Sequence, residues 1–193
     1  MPSDSNVLKN TTFYFGCLLI ISTVLNTVLV ASDPNFNEQV YLSTPKALKA
    51  SLPGSEQITS ENISLNTDQK KKVESMIGWT FNSNSFTLYK GYIQGKLKGF
   101  AIILNEMGKH YPITFITAIT PDFKVSDVKV MVYRESYGDK VRKRRFLKQF
   151  INKSSQDNLM VNQDIDGMTG ATISSWSITS GVKKAIAMAE VTQ

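Results

Sequence analysis

The chain has 193 residues, enough for one sizeable domain with an appendage, and no internal repeat divides it further. Its net charge of +6 is moderate and the positive residues are dispersed apart from Lys140–Arg145, so a nucleic-acid partner is not expected. One cysteine (Cys17) and one histidine (His110) exclude a disulfide framework, a haem attachment sequence, an iron–sulfur cluster held by cysteines of this chain and a histidine-rich metal centre, and leave any hydrolase to rest on His110 alone.

Residues 1–10 read as a polar tail whose only charges are Asp4 and Lys9. From Thr11 to Ala31 there is no charge, and large apolar residues dominate. About 20 helical residues cross a hydrocarbon core, so residues 11–31 are expected to be a membrane anchor in contact with lipid. A cleaved signal peptide is the competitor, since Val30-Ala31-Ser32 loosely resembles a cleavage site; the run is long for a signal core, and its positive region is one lysine. Lys9 before the span and Asp33 and Glu38 after it favour an N-terminus inside, with the bulk of the chain outside the cytoplasm. The expected division is 1–33 tail and anchor, 34–84 linker and short helices, and 85–193 the folded domain.

Asp33–Val40 reads as a linker. Ser43–Ala50 predicts a short helix with a capping hydroxyl and a proline in its first turn, ended by Pro53-Gly54. Thr67–Ile77 predicts another, closed by Gly78, and the Ser- and Asn-rich stretches around it read as loops. Phe86–Tyr89, Gly91–Leu104, Tyr111–Ile119 and Val125–Tyr133 are β-rich runs with glycine and proline punctuation, as in a meander of hairpins. Asp139–Lys153 predicts a basic helix, because Phe146, Leu147, Phe150 and Ile151 interleave with the charges at helical spacing. Its cations read as a solvated face, with docking to an acidic partner or a membrane surface as the next reading. Ser174–Glu190 predicts a helix burying Ile178, Val182, Ala185, Ile186 and Ala189 on one side. The order implies an α+β fold, an antiparallel sheet with helices packed on it.

The stretch Asp166-Gly167-Met168-Thr169-Gly170-Ala171-Thr172 precedes that last helix. The first amides of a helix are unpaired and carry the positive end of its dipole, so a phosphate on a hydroxyl in the preceding loop is held favourably, and Thr172 is the hydroxyl there. The plain alternative is that Thr172 or Ser174 only caps the helix.

The spelling resembles the flavinylation motif, an Asp followed by Ser/Thr-Gly-Ala-Thr, of FMN-binding domains. These occur in the G subunit of Rnf electron-transport complexes and the C subunit of sodium-translocating NADH:quinone reductases. The resemblance implies covalent FMN esterified through its phosphate to Thr172 by a flavin transferase. It implies Asp166, Thr169, Gly170 and Ala171 as the rest of the cofactor-binding motif, with Ile173, Ser174 and Ser175 opening the helix. The family's Glu-Thr-Pro-Gly turn beside the flavin corresponds to Glu135-Ser136-Tyr137-Gly138, with Ser for Thr and Tyr for Pro, which suggests a divergent branch. His110, in Gly108–Ile113, reads as a structural turn histidine.

The chain is therefore expected to be an anchored flavoprotein relaying electrons between redox centres of a membrane complex, partnered by other subunits of that complex. No Gly-x-Gly-x-x-Gly stretch supports direct NADH oxidation. The alternatives are a non-redox anchored assembly subunit, with the motif as a helix cap, and a reductase of a small soluble substrate.

Overall fold

The structure is a computed structural model and describes residues 36–193; the anchor expected over 11–31 lies outside them. Among the described residues no helix is long and apolar enough to cross a membrane. The elements are β1 (Phe36–Val40), α1 (Thr44–Ser51), β2 (Gln57–Ser64), α2 (Thr67–Ile77), β3 (Ser85–Ile93), β4 (Lys96–Met107), β5 (Pro112–Ile119), β6 (Val125–Glu135), α3 (Arg144–Leu147) and α4 (Thr172–Thr192). All strand pairs are antiparallel and form one six-stranded sheet in the order β1-β6-β5-β4-β3-β2. This is the α+β architecture that the element order implies.

One face of the sheet carries the larger core. Phe100, Ile102 and Leu104 of β4 and Ile113, Phe115 and Ile119 of β5 meet Ile178, Val182, Ala185, Ile186 and Ala189 of α4, with Val73 and Ile77 of α2 beside them. The α4 residues are the stripe read from its helical spacing, and all are fully buried. Alternate residues point the other way, where Ala101, Ile116 and Met131 pack with Ala47 and Leu52 at α1. The helix ends follow local chemistry in part. Asn66 and Gln69 exchange backbone and side-chain hydrogen bonds as a capping box, and Gly78 closes α2. Ser43 occupies the cap position of α1, but its hydroxyl makes no capping bond.

Two irregularities in β6 decide what faces what. Ile119 pairs with Val125 while Ala118 pairs with Asp127, and Phe115 pairs with Val130 while Thr114 pairs with Val132. Ser126 and Met131 are thus extra residues, and each bulge shifts the side-chain alternation by one. Val128 and Val130 lie in the larger core, and after the second bulge so does Tyr133. The strand end Tyr133–Glu135 is thereby turned to the side on which α4 begins.

Three readings are corrected. Phe36–Val40 is a strand rather than a linker, paired with β6 through Phe36–Glu135, Gln39–Tyr133 and Val40–Val132. Gln57–Ser64, read as loop, is a strand paired with β3 along its whole length. The continuous basic helix is broken into a 3-10 turn (Asp139–Arg142), the single turn α3 and a second 3-10 turn (Lys148–Phe150), with Lys143 extended at φ −68°, ψ 138°. Lys140, Arg144 and Lys148 would stack at four-residue intervals on a regular helix, and such like-charge pairs destabilise it. The short turns still bury Val141, Phe146 and Phe150.

Candidate functional site

The loop before α4 is pinned from beneath. Gln149 donates to the Asp166 carbonyl (3.1 Å) and accepts from the Asp166 amide (2.8 Å). The Ser175 hydroxyl accepts from the Met168 amide at 3.0 Å and donates to the Ala171 carbonyl at 2.9 Å. Between them Met168–Ala171 forms a β-turn closed by the Ala171 amide on the Met168 carbonyl (2.8 Å), with Gly170 at φ +77° in its third position. A type II turn needs positive φ there, which glycine adopts without strain. The result is a rigid crest on which Thr169, Gly170 and Thr172 are exposed while Ala171, Ser174 and Ser175 are buried.

Thr172 is the first helical residue, and Ala171 holds the cap position (φ −143°, ψ 34°) without a side-chain capping bond. Neither Thr172 nor Ser174 caps the helix, contrary to the plain alternative. Among the described residues the Thr172 hydroxyl has no hydrogen-bond partner, and the amides of Thr172, Ile173 and Ser174 have no acceptor.

Facing this crest is the end of β6. The Tyr133 phenol donates to the Tyr137 carbonyl and lies 2.9 Å from the Ser174 hydroxyl, joining strand to helix. Burial holds this phenol above the ordinary tyrosine value, although the Ser174 hydrogen bond pulls the other way. Glu135 is buried, and one of its carboxylate oxygens accepts from the amides of His110 (2.8 Å) and Tyr111 (3.3 Å). It thereby orients the β4–β5 turn, and His110 sits in that turn as expected, its imidazole exposed. Gly138, at φ +96°, leaves room that a Cβ would take from the Tyr133 and Ser174 hydroxyls.

These three segments enclose a cleft of about 330 Å³. Lys109, His110, Glu135, Ser136, Tyr137 and Gly138 line one side, and Gly170, Ala171, Thr172, Ile173 and Ser174 the other. Of the residues singled out in the sequence, Asp166, Thr169 and Ser175 do not line it. Asp166 is exposed and tied by its backbone to Gln149, and Ser175 supports the loop from below. Lys109 lines the cleft, and the Lys140 ammonium lies 3.8 Å from where a Cβ on Gly170 would stand. Sequence reasoning gave neither lysine a role at the site, nor did it assign one to the Tyr133 phenol. The glycines Gly108 and Gly138 were the available signal, since each marks a place where a side chain would strike the site's own hydroxyls or carboxylate.

A free hydroxyl, three unpaired helix amides and two nearby ammonium groups converge on one mouth, which suits a phosphate. Tyr137 and Ile173, 86% and 48% exposed, give the same mouth an apolar rim fit for a planar ring. The mouth thus has a polar part suited to a phosphate and an apolar part suited to an aromatic body.

Among known proteins, residues 108–187 match the FMN-binding domain family. The chain is 26% identical over 189 residues to the G subunit of the proton-translocating ferredoxin:NAD(+) oxidoreductase complex of Clostridium ljungdahlii, covering 92% of this chain and 91% of that protein. Its fold is similar to the crystal structure of NqrC from Shewanella oneidensis, with a TM-score of 0.50 and 15% identity over 70% of this chain and 84% of that one.

Proposed function

We propose that the protein is a membrane-anchored flavin electron carrier that holds FMN as a phosphoester on Thr172 and serves a membrane redox complex like those of its relatives. The observation that carries the reading is the Thr172 hydroxyl. It is exposed and unpartnered on the first residue of α4, over the cleft on which the helix amides and Lys109 converge. A hydroxyl recruited for capping would be turned inward. This one is presented outward to a modifying enzyme, a flavin transferase.

FMN, when bound, supplies one- and two-electron transfer, so the chain has to provide only attachment, ring environment and partner geometry. The amides of Ile173 and Ser174 would donate to the phosphate, and the ammonium groups of Lys109 and Lys140 would offset its charge. Glu135 holds the Lys109–Tyr111 turn in place, and the Tyr133–Ser174 bond keeps strand and helix at fixed separation. Tyr137 and Ile173, exposed at the same mouth, would give the flavin ring its apolar contacts. In the same proposal, residues 11–31 anchor the chain in lipid and the folded domain stands outside the cytoplasm. The uncharged run and the flanking Lys9, Asp33 and Glu38 support that placement.

Intact mass of the denatured protein, purified after coexpression with a flavin transferase, tests the attachment. Wild type is expected to carry the mass of one FMN less water and a fluorescent gel band, and Thr172→Ala the bare polypeptide mass. Covalent flavin persisting in Thr172→Ala would overturn the site, and its absence from wild type would overturn the function.

A further inference from the structure

A second cleft, of about 700 Å³ against about 330 Å³ for the candidate flavin site, lies elsewhere on the domain. It opens along β6 between the end of α1 and the basic segment 142–151. The strand edge there is closed at both ends by other parts of the chain. The Met131 carbonyl accepts from the amides of Tyr41 (2.8 Å) and Leu42 (3.2 Å). Val125 exchanges hydrogen bonds with Asn152 and Lys153, both 2.8 Å. Between these two clasps, Asp127–Val130 pairs with β5 on one side, Ser126 being the bulge, and Ser126–Val130 has no backbone partner on the other side among the described residues. Five residues of free edge are roughly 17 Å of unpaired amides and carbonyls.

The walls of this gap differ in chemistry. On the side of the basic segment stand Arg142, Arg144 and Lys148. Arg142 contacts Asp139 at 3.4 Å and covers the Tyr41 ring at 4.8 Å, whereas Arg144 and Lys148 have no carboxylate partner among the described residues. On the α1 side stands Ser51, 2% exposed, its hydroxyl without a hydrogen-bond partner. Lys129, on the edge itself, is already paired with Asp127.

We propose that this cleft receives a short extended acidic segment of a partner subunit, which adds a strand to β6 over Ser126–Val130. Successive side chains of such a strand point to opposite faces. Carboxylates at every second position meet Arg142, Arg144 and Lys148, and small side chains between them meet the α1 wall of Ala50, Ser51 and Pro53. The free edge decides against a phosphate or a lipid headgroup as occupant, since either could use the cations but neither could pair with the amides and carbonyls of a strand. Strand addition draws affinity from the main chain and specificity from the alternate side chains, and the separation of the cationic wall from the α1 wall has that form.

The test uses the full chain in detergent micelles and the probe acetyl-Glu-Thr-Glu-Thr-Glu-amide. Titration calorimetry gives its affinity, and hydrogen exchange gives protection of the amides in 125–131. Saturable binding is expected, with slowed exchange in that segment. Binding should weaken tenfold or more in Arg144→Glu and Lys148→Glu, and should be unchanged in Arg145→Glu, an exposed neighbour outside the cleft. The same peptide N-methylated on its backbone keeps every carboxylate but loses its amide donors, and it should not bind wild type. Equal binding of the N-methylated peptide, or its displacement by equimolar inorganic phosphate, would overturn strand addition in favour of a simple anion site. Failure of the parent peptide to bind at millimolar concentration would overturn the proposal altogether. Because the N-methyl comparison is made on wild type, it stands even if a charge reversal disturbs folding.

Discussion

The Tyr133 phenol and the Ser174 hydroxyl lie 2.9 Å apart where the end of β6 meets the first turn of α4. The two are 41 residues apart in sequence, and their contact ties strand to helix at the mouth of the cleft. Tyr133→Phe leaves the Tyr137 carbonyl without its donor and the buried Ser174 hydroxyl without its acceptor, a loss of about 1–3 kcal/mol. At about 2–4 °C per kcal/mol for a domain of this size, the melting temperature should drop by several degrees. A raised phenol pKa means the folded state holds this proton more tightly than the unfolded chain does. The associated stability is therefore complete below pH about 10 and is lost as pH climbs above it. Urea melts of both proteins at pH 8 and pH 10.5 check this: the variant should be weaker at pH 8, and the difference should narrow at pH 10.5.

Gly170 and Gly138 both have positive φ, +77° and +96°, but only one is crowded. An added methyl at Gly170 meets only the Lys140 ammonium at 3.8 Å, so Gly170→Ala should cost the backbone strain alone, about 1 kcal/mol. At Gly138 the methyl would be driven into the Tyr133 and Ser174 hydroxyls as well. Gly138→Ala should therefore unfold at clearly lower denaturant than Gly170→Ala, as read by circular dichroism. Equal midpoints would mean that the strand–helix junction yields more readily than its hydrogen bonds suggest.

Glu135 acts through one oxygen. Its two bonds, from the His110 and Tyr111 amides, need an acceptor and not a charge. Glu135→Gln keeps a carbonyl oxygen there and should stay within about 1 kcal/mol of wild type, whereas Glu135→Ala strips two part-buried amides of their acceptor and should cost about 2–3 kcal/mol. Hydrogen exchange of residues 108–112 is the direct readout, faster in the alanine variant and near normal in the glutamine variant.

What the sequence disclosed follows from where the causes lie. The strands β3 to β6 and the helix α4 bury residues at periods of two and of 3.6, so their apolar pattern reveals them. The strands β1 and β2 bury almost nothing, with every residue of β1 exposed. They are strands only because β6 and β3 offer them hydrogen bonds, a tertiary fact that no local pattern records. Thr172 was singled out because its motif is contiguous, and it lies exposed on the lining of the cleft. The Tyr133 phenol was not singled out, because its role depends on the bulge at Met131, which turns the following residues to the other face. The basic run suggested a helix by its apolar spacing, but the chain is extended at Lys143 and forms short turns instead. Those turns placed Lys140 beside Gly170 and, separately, Arg144 and Lys148 in the second cleft.

Lys109 and Lys140 provide the sharpest test of the phosphate reading short of Thr172 itself. Neither is paired with a carboxylate among the described residues, and both are exposed; Lys109 lines the cleft, and the Lys140 ammonium lies 3.8 Å from where a Cβ on Gly170 would stand. Hydrogen bonds to charged groups contribute about 1.5–3 kcal/mol, and 1.4 kcal/mol is a tenfold change. Reversing both charges should thus slow flavin attachment by about tenfold or more under limiting transferase, followed as the rise of the flavinylated mass with time. Part of the effect should fade in concentrated salt, because exposed charges are screened. Arg145→Glu changes the net charge in the same direction but lies outside both clefts, so its attachment rate should match wild type. If Arg145→Glu slowed attachment as much as Lys109→Glu or Lys140→Glu, the lysines would be acting through overall charge and not as phosphate ligands.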